Sequence, residues 1–227
     1  MKNLAPGQVR ENGPLWCSNP HNPTGLSARE YQIDPTHEST HEPELSKVPI
    51  SSDDSSYFSP SNIWDEAFYP LAKGEWTRWN RSPEVVIVGS LTKLFACPGL
   101  RLGYVLADPS IIARIKKRQI EWSVNSLAAN ALPDLLKMAD LVGWANQVAL
   151  WRKELHSQLE SFGLEPLPSD ANFILCANAK GLREQLYPFG IVVRDCTSFG
   201  LDGYVRIAVP NPSGLDRLVQ ALEQVKI

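Results

Sequence analysis

The run Val85-Val86-Ile87-Val88 leads directly into Gly89-Ser90-Leu91-Thr92-Lys93, and this join constrains the fold more than any other stretch of the chain. Four consecutive apolar, mostly β-branched residues bounded by a glycine read as a buried strand. A lysine on the loop that leaves such a strand stands at the carboxyl edge of a sheet, where open α/β folds hold their ligands. Shortly after it comes Pro98-Gly99-Leu100-Arg101-Leu102-Gly103-Tyr104, which adds a guanidinium to the hydroxyls of Ser90 and Thr92. An amine, two hydroxyls and an arginine on one loop suit a ligand that carries both an electrophile and a phosphate.

The rest of the chain supports an α/β class. Asp108-Pro109 supplies an N-cap and a first-turn proline for a helix reaching about Ile120. Leu127 to Ala139 has helical composition, with Pro133 marking a start or a kink. Leu141, Trp144, Ala145, Val148, Trp151, Leu155, Leu159 and Phe162 recur at three- and four-residue steps, one face of a long amphipathic helix closed by Gly163. Beyond it the pattern predicts strands at Phe173–Cys176, Ile191–Val193 and Tyr204–Val209, and helices at Leu182–Phe189 and Ser213–Lys226. Upstream, Pro14–Cys17 reads as a short strand and Gly103–Leu106 as another. Residues 1–135 therefore read as a larger unit with a mostly parallel sheet, and residues 136–227 as a small C-terminal α/β domain. Residues 27–62 are rich in Ser, Thr, Pro and acids without a sustained period, and read as loop or disorder.

Bulk properties exclude several classes. A chain of 227 residues with 43% hydrophobic and 21% charged content is ordinary for a globular protein. A net charge of −3 argues against nucleic acid or an anionic membrane surface as partner. No apolar run suits a membrane span, and the polar first residues show no signal peptide. Cys17, Cys97, Cys176 and Cys196 are scattered without a CxxC pair, as expected of reduced thiols in the cytoplasm. His37-Glu38-Ser39-Thr40-His41 matches HExxH, but Pro35 and Pro43 bracket it and no apolar face supports the helix a zinc site needs. It reads as a solvated polar loop, and no metal is expected.

Pyridoxal 5′-phosphate (PLP) is the cofactor whose needs these residues meet. It requires a lysine to form an imine, a carboxylate beside the pyridine nitrogen, a donor to the ring's 3′ oxygen, and hydroxyls with a cation for the phosphate. In chain order Asn22, Asp65, Lys93, and Ser90, Thr92 and Arg101 are candidates for these roles. On the substrate side, an α-carboxylate is well matched by a bidentate arginine. Arg206 lies in Tyr204-Val205-Arg206-Ile207-Ala208, on the face opposite Val205 and Ile207. Arg194 follows the apolar run Ile191–Val193.

Asn19-Pro-His-Asn-Pro-Thr-Gly25, Asp65-Glu-Ala-Phe68, and Ser90-Leu-Thr-Lys93 with Gly99-Leu-Arg-Leu-Gly-Tyr104 resemble the signature blocks of class I/II PLP-dependent aminotransferases, the fold-type-I group. The resemblance spans about residues 14–227. It implies that Lys93 is the imine-forming lysine, Asp65 the pyridinium partner, Asn22 the 3′-oxygen contact, and Ser90, Thr92 and Arg101 the phosphate holders. It further implies that Arg206 binds the substrate carboxylate, that Arg194 is the second arginine of the phospho-amino-acid branch, and that Asn172 and Trp122 lie on the substrate side. The segment Glu121-Trp-Ser-Val-Asn-Ser-Leu-Ala128 and the block Ile191–Cys196 are similar to the branch that decarboxylates threonine phosphate. Aminotransferases of histidinol phosphate are the alternative, and a non-catalytic remnant is the alternative of another class.

Three departures from the family pattern stand out. Phe68 replaces a tyrosine that reaches the 3′ oxygen in many members. The interval before Asp65 lacks the expected amphipathic helix and apolar strand. Asn22 lies near the amino terminus, so the chain reads as N-terminally incomplete, without the loop that cups the phosphate, the ring-stacking aromatic and much of the interface of the family's homodimer.

Overall fold

The structure, a computed structural model, describes residues 15–27, 62–78, 83 and 85–225. Most of the expected loop 27–62, with the HExxH string, lies outside the described residues.

The strand that ends at the lysine loop is the third of a four-stranded sheet. β1 (Leu15–Ser18), β2 (Asn62–Asp65) and β3 (Val85–Ser90) run parallel, and β4 (Gly103–Leu106) closes the sheet antiparallel to β3. The α/β class with a mostly parallel sheet is thus as expected. One expectation needs correction: an apolar strand does precede Asp65. Asn62-Ile-Trp-Asp65 is too short and too polar at its ends to be legible, yet it pairs with β1 on one side and β3 on the other. Pairing on both sides satisfies its backbone groups, which outweighs weak propensity. Ser18, Asp65 and Val88 align in register, so the chain leaves β1, β2 and β3 at one edge.

α1 (Tyr69–Lys73) follows β2, and α2 (Leu91–Leu94) follows β3. α3 (Pro109–Arg118) starts as expected, with the Asp108 carboxylate accepting from the Ser110 N–H at 2.8 Å. α4 (Ser126–Lys137) contains Pro133 within it, and Asn125 caps it through Ala128 N–H. α5 (Leu141–Ser161) is the long helix. Its first turns (Leu141, Trp144) pack with Leu91, Leu94 and Leu102, while Leu155 and Leu159 enter the C-terminal core.

The C-terminal sheet is antiparallel, in the order β5 (Glu165–Pro166), β6 (Phe173–Ala177), β8 (Val205–Ala208), β7 (Arg194–Asp195). α6 (Leu182–Leu186) and α7 (Pro212–Leu222) complete it. Ile174 and Cys176 of β6 and Val205 and Ile207 of β8 face the helices, joined by Leu182, Leu186, Leu218 and Leu222. Each such leucine contributes about 1.5–3 kcal/mol by burial. Phe173 and Leu175 alternate to the other face, and Arg206, directly opposite Leu175, shares it.

Two more expectations shift. The strand expected at Ile191–Val193 forms instead at Arg194–Asp195, where the ladder to β8 is made, and Val192 is 71% exposed. The helix expected to Phe189 ends at Leu186 and continues as a 3₁₀ turn, because Pro188 has no N–H to extend it.

Candidate active site

The lysine loop is built by its apolar residues. Leu91 and Leu94 of α2 and Leu102 are buried, which turns Thr92 and Lys93 outward. Leu91 and Thr92 both donate backbone N–H groups to the Leu102 carbonyl, which brings the two arms of the loop together. Ser90 Oγ and Thr92 Oγ1 lie 2.9 Å apart. Arg101 adopts a left-handed backbone at φ 52 and donates from Nη1 to the Pro98 carbonyl at 3.1 Å. Ser90, Thr92, Lys93 and Arg101, with Pro98, Leu102 and Gly103, line one cavity of about 470 Å³. Asn125, from the Glu121–Ala128 segment, braces this turn: its Nδ2 donates to the Leu100 carbonyl at 3.1 Å.

Asp65, at the end of β2, and Asn22, in the turn after β1, stand outside that cavity lining. Asp65 Oδ1 accepts from the Ala67 N–H at 3.0 Å, and its carbonyl accepts from the Asn19 N–H at 2.8 Å. Asn22 sits in a tight turn, closed by Gly25 N–H to the His21 carbonyl at 2.7 Å and by His21 Nδ1 against Thr24 Oγ1 at 3.0 Å. The Asn19–Pro20 and Asn22–Pro23 peptide bonds are cis. Gly25 has φ 78, and a Cβ there would lie 2.1 Å from Ser169 Oγ, so any side chain is strained and displaces Ser169. Its carbonyl accepts from Asp170 and Ala171, and Ser27 N–H donates to Asp170 Oδ2 at 3.0 Å, which joins the turn to the second sheet.

That junction carries Arg206 to Asn22. Arg206 Nη1 donates to Asn22 Oδ1, leaving the Asn22 amide to serve as donor elsewhere. Arg206 lies 4.8 Å above the Phe173 ring, and Phe173 meets Phe68 edge to face at 5.0 Å. Lys93 Nζ lies 5.0 Å from the Phe68 ring centroid. Contacts of this cation–π kind are worth about 0.5–1 kcal/mol at exposed sites. Phe68 and Phe173 thus link the candidate lysine to the candidate arginine, a role the sequence did not reveal. The signal for Phe68 was present in its departure from tyrosine; nothing marked Phe173. Tyr69 turns away, its hydroxyl 3.4 Å from Glu75 Oε2.

Arg194 pairs with Arg206 across β7 and β8. It donates to Ser198 Oγ at 3.0 Å and lies 5.6 Å from the Phe199 ring. Burial lowers the Arg206 pKa and the Arg194 charge lowers it further, with Cys196 opposing. Two guanidinium groups directly opposite in a ladder repel, an arrangement that an anion relieves. Asn172 Oδ1 is buried without a partner among the described residues. Trp122 is not brought to the others: it is 93% exposed, with φ 59, beside exposed Ile120 and Leu127. Among the described residues no three His, Cys, Asp or Glu side chains are grouped as metal ligands, and no helix is long and apolar enough to cross a membrane.

The family signature described as aminotransferase class I and II matches residues 62–222. The histidinol-phosphate aminotransferase of Moorella thermoacetica is 30% identical over 93% of this chain and 53% of its own length. The threonine-phosphate decarboxylase of Salmonella typhimurium is also 30% identical, over 93% of this chain and 57% of its length. The solved histidinol-phosphate aminotransferase from Clostridium acetobutylicum superposes with a TM-score of 0.74 at 26% identity, covering 93% of this chain and 63% of that structure. The chain spans about half the length of the curated relatives it matches. With a family signature over most of its length and relatives of this identity, the chain belongs to the class I and II aminotransferase family, whose members depend on PLP.

Proposed function

We propose that this chain carries the lysine and arginine side of a PLP enzyme acting on a small phosphorylated amino acid, with decarboxylation of L-threonine O-3-phosphate to aminopropanol phosphate as the leading reaction. The observation that carries the reading is the one cavity shared by Ser90, Thr92, Lys93 and Arg101. Its donor set fits the cofactor: two adjacent hydroxyls and a guanidinium for a phosphate, and a primary amine for an aldehyde. In this reading residues 1–135 form part of the cofactor domain and residues 136–227 the small domain. The two separate hydrophobic clusters support that division, and α5 joins them by entering both.

Each residue then has a chemical task. Lys93 would hold the cofactor, and its amine is the group placed to move a proton at the substrate Cα. Ser90, Thr92 and Arg101 hold the phosphate. Asp65 would be the carboxylate for the pyridine nitrogen, and the Asn22 amide the donor for the 3′ oxygen. When bound, PLP supplies an electron sink for the bond broken at the substrate Cα. Which bond breaks would depend on how the two arginines orient the substrate carboxylate. Arg206 grips the carboxylate, and Arg194 beside it takes the second anionic group, the substrate phosphate. Asn172 offers an oxygen without a partner among the described residues, and Trp122 is assigned to the substrate side by resemblance.

The decarboxylase reading draws support from the Trp122–Asn125 block and from the Salmonella relative. Transamination of histidinol phosphate is the second reading, supported by the Moorella and Clostridium enzymes. The cobalamin pathway enters only through the decarboxylase reading and a 27% identical relative named as an adenosylcobalamin biosynthesis bifunctional protein.

The test is addition of PLP to the purified chain. Attachment at Lys93 gives a visible absorption band that is absent in Lys93→Ala. A wild-type chain without the band refutes the catalytic reading for this chain and favours a non-catalytic one. With the band present, threonine phosphate is supplied. Release of CO2 without a keto acid supports the decarboxylase, and keto-acid-dependent loss of the amine supports the aminotransferase.

A further inference from the structure

A charged pair on the back of β2 has no part in the chemistry above. Trp64 and Asp65 alternate to opposite faces, and Glu66, just past the strand, returns to the Trp64 side. Glu66 is 0% exposed, and its Oε1 lies 3.5 Å from Arg78 Nε. The Arg78 guanidinium in turn covers the Trp64 ring at 3.5 Å. Burial pushes the Glu66 carboxyl up, Thr77 and Arg78 pull it back down, and the adjacent Asp65 charge pushes it up again. Arg78 is thus the counter-charge that lets two consecutive acids share one strand end. Cys17 on β1 and Tyr69 also bear on Arg78, and Tyr104 bears on Glu66.

The segment that brings Arg78 here is itself tied down. Tyr69 donates to Glu75 at 3.4 Å, and the Tyr104 hydroxyl donates to the Trp76 carbonyl at 2.9 Å. The Tyr104 ring reaches that position across Gly89, where a Cβ would lie 2.0 Å from it. The backbone of Glu66 is pinned at both ends, donating to the Val88 carbonyl at 2.8 Å and accepting from the Tyr69 N–H at 3.0 Å. Between these anchors stands the Ala67 N–H, the donor to Asp65 Oδ1 at 3.0 Å. Any rotation of residue 66 therefore moves the group that aims Asp65.

We propose that Glu66 and Arg78 are positioning residues, a buried pair behind β2 that fixes the direction of the Asp65 carboxylate and so the hold of the site on a pyridinium. The affinity part rests on the PLP reading of Asp65; the aiming of Asp65 does not.

The test uses the full chain with Glu66→Gln, Arg78→Gln and Arg78→Lys. Without any ligand, hydrogen exchange of the Ala67 amide is expected to quicken about tenfold in the two neutral variants, while Arg78→Lys stays closer to wild type. With PLP added, the neutral variants are expected to bind about tenfold more weakly, and the pH midpoint of the visible band shifts. A merely structural pair would lower the melting temperature and leave Ala67 exchange and the band midpoint at wild-type values; that result overturns the proposal. Should a neutral variant fail to fold, Glu66→Leu with Arg78→Met leaves no buried unpaired charge and carries the same test. Wild-type Ala67 exchange in that double variant would equally overturn the proposal. A wild-type chain that binds no PLP removes the functional reading, while the exchange measurement still decides whether the pair aims Asp65.

Discussion

The lysine side and the arginine side of the candidate site are built in opposite ways. Ser90, Thr92, Lys93 and Arg101 come from one short stretch of chain, the end of β3, α2 and the turn after it, held by Leu91, Leu94 and Leu102. Arg206 meets Asn22 across a sequence separation of 184 residues, and depends on the Gly25 turn docking against Ser169 and Asp170. A local site needs only its own strand and helix turn. An assembled site needs two sheets brought into one relation, so it is the more easily lost.

The sharpest break is Lys93→Ala, which is expected to abolish the visible band of the PLP-treated protein while leaving its circular dichroism unchanged. On the proposed reading, Arg101→Ala would remove a charge-assisted phosphate contact worth about 1.5–3 kcal/mol, so PLP affinity by absorbance titration should fall about tenfold to a hundredfold. Neither change should disturb the Arg206–Asn22 contact.

Gly25→Ala attacks the other side alone. Its Cβ meets Ser169 Oγ and its φ is 78, so stability in urea melts should fall by about 1–3 kcal/mol. Carboxylate affinity should fall with it, and attachment at Lys93 should persist. If the band disappears as well, the two sides are not separable. A double-mutant cycle of Asn22→Ala and Arg206→Ala, read by equilibrium unfolding, should return a coupling of about 0.5–3 kcal/mol.

The smallest effect lies behind the loop. Burial pushes both Tyr69 and Tyr104 up to about 12, from an ordinary 10.0. The unfolded chain therefore releases these protons first. Their contribution is complete below pH 10 and is lost as pH rises toward 12. Tyr104→Phe should flatten that alkaline loss in pH-dependent melts, and unchanged slope would refute the burial argument.

Legibility followed the same division. Val85–Val88 and the Asp108–Pro109 helix start were readable because their signals are local: β-branched apolar residues, a cap and a proline. The long helix was readable from its apolar spacing. β2 was missed because four residues with two apolar side chains carry no period, and the strand exists through its neighbours on both sides. β5 escaped for the same reason, being two residues with a proline at an edge. From sequence Phe173 is only the start of a strand, and Trp122 belongs to the substrate side by resemblance alone; it is exposed in the structure.

By itself the sequence determined the α/β class, the lysine loop and the family, since these rest on residue type and short spacing. Only the tertiary structure decided that Asp65 ends a paired strand, that Arg206 reaches Asn22 over Phe173, and that Glu66 is buried against Arg78. Such contacts depend on how two sheets and a strap of chain come together in space, which no local pattern specifies.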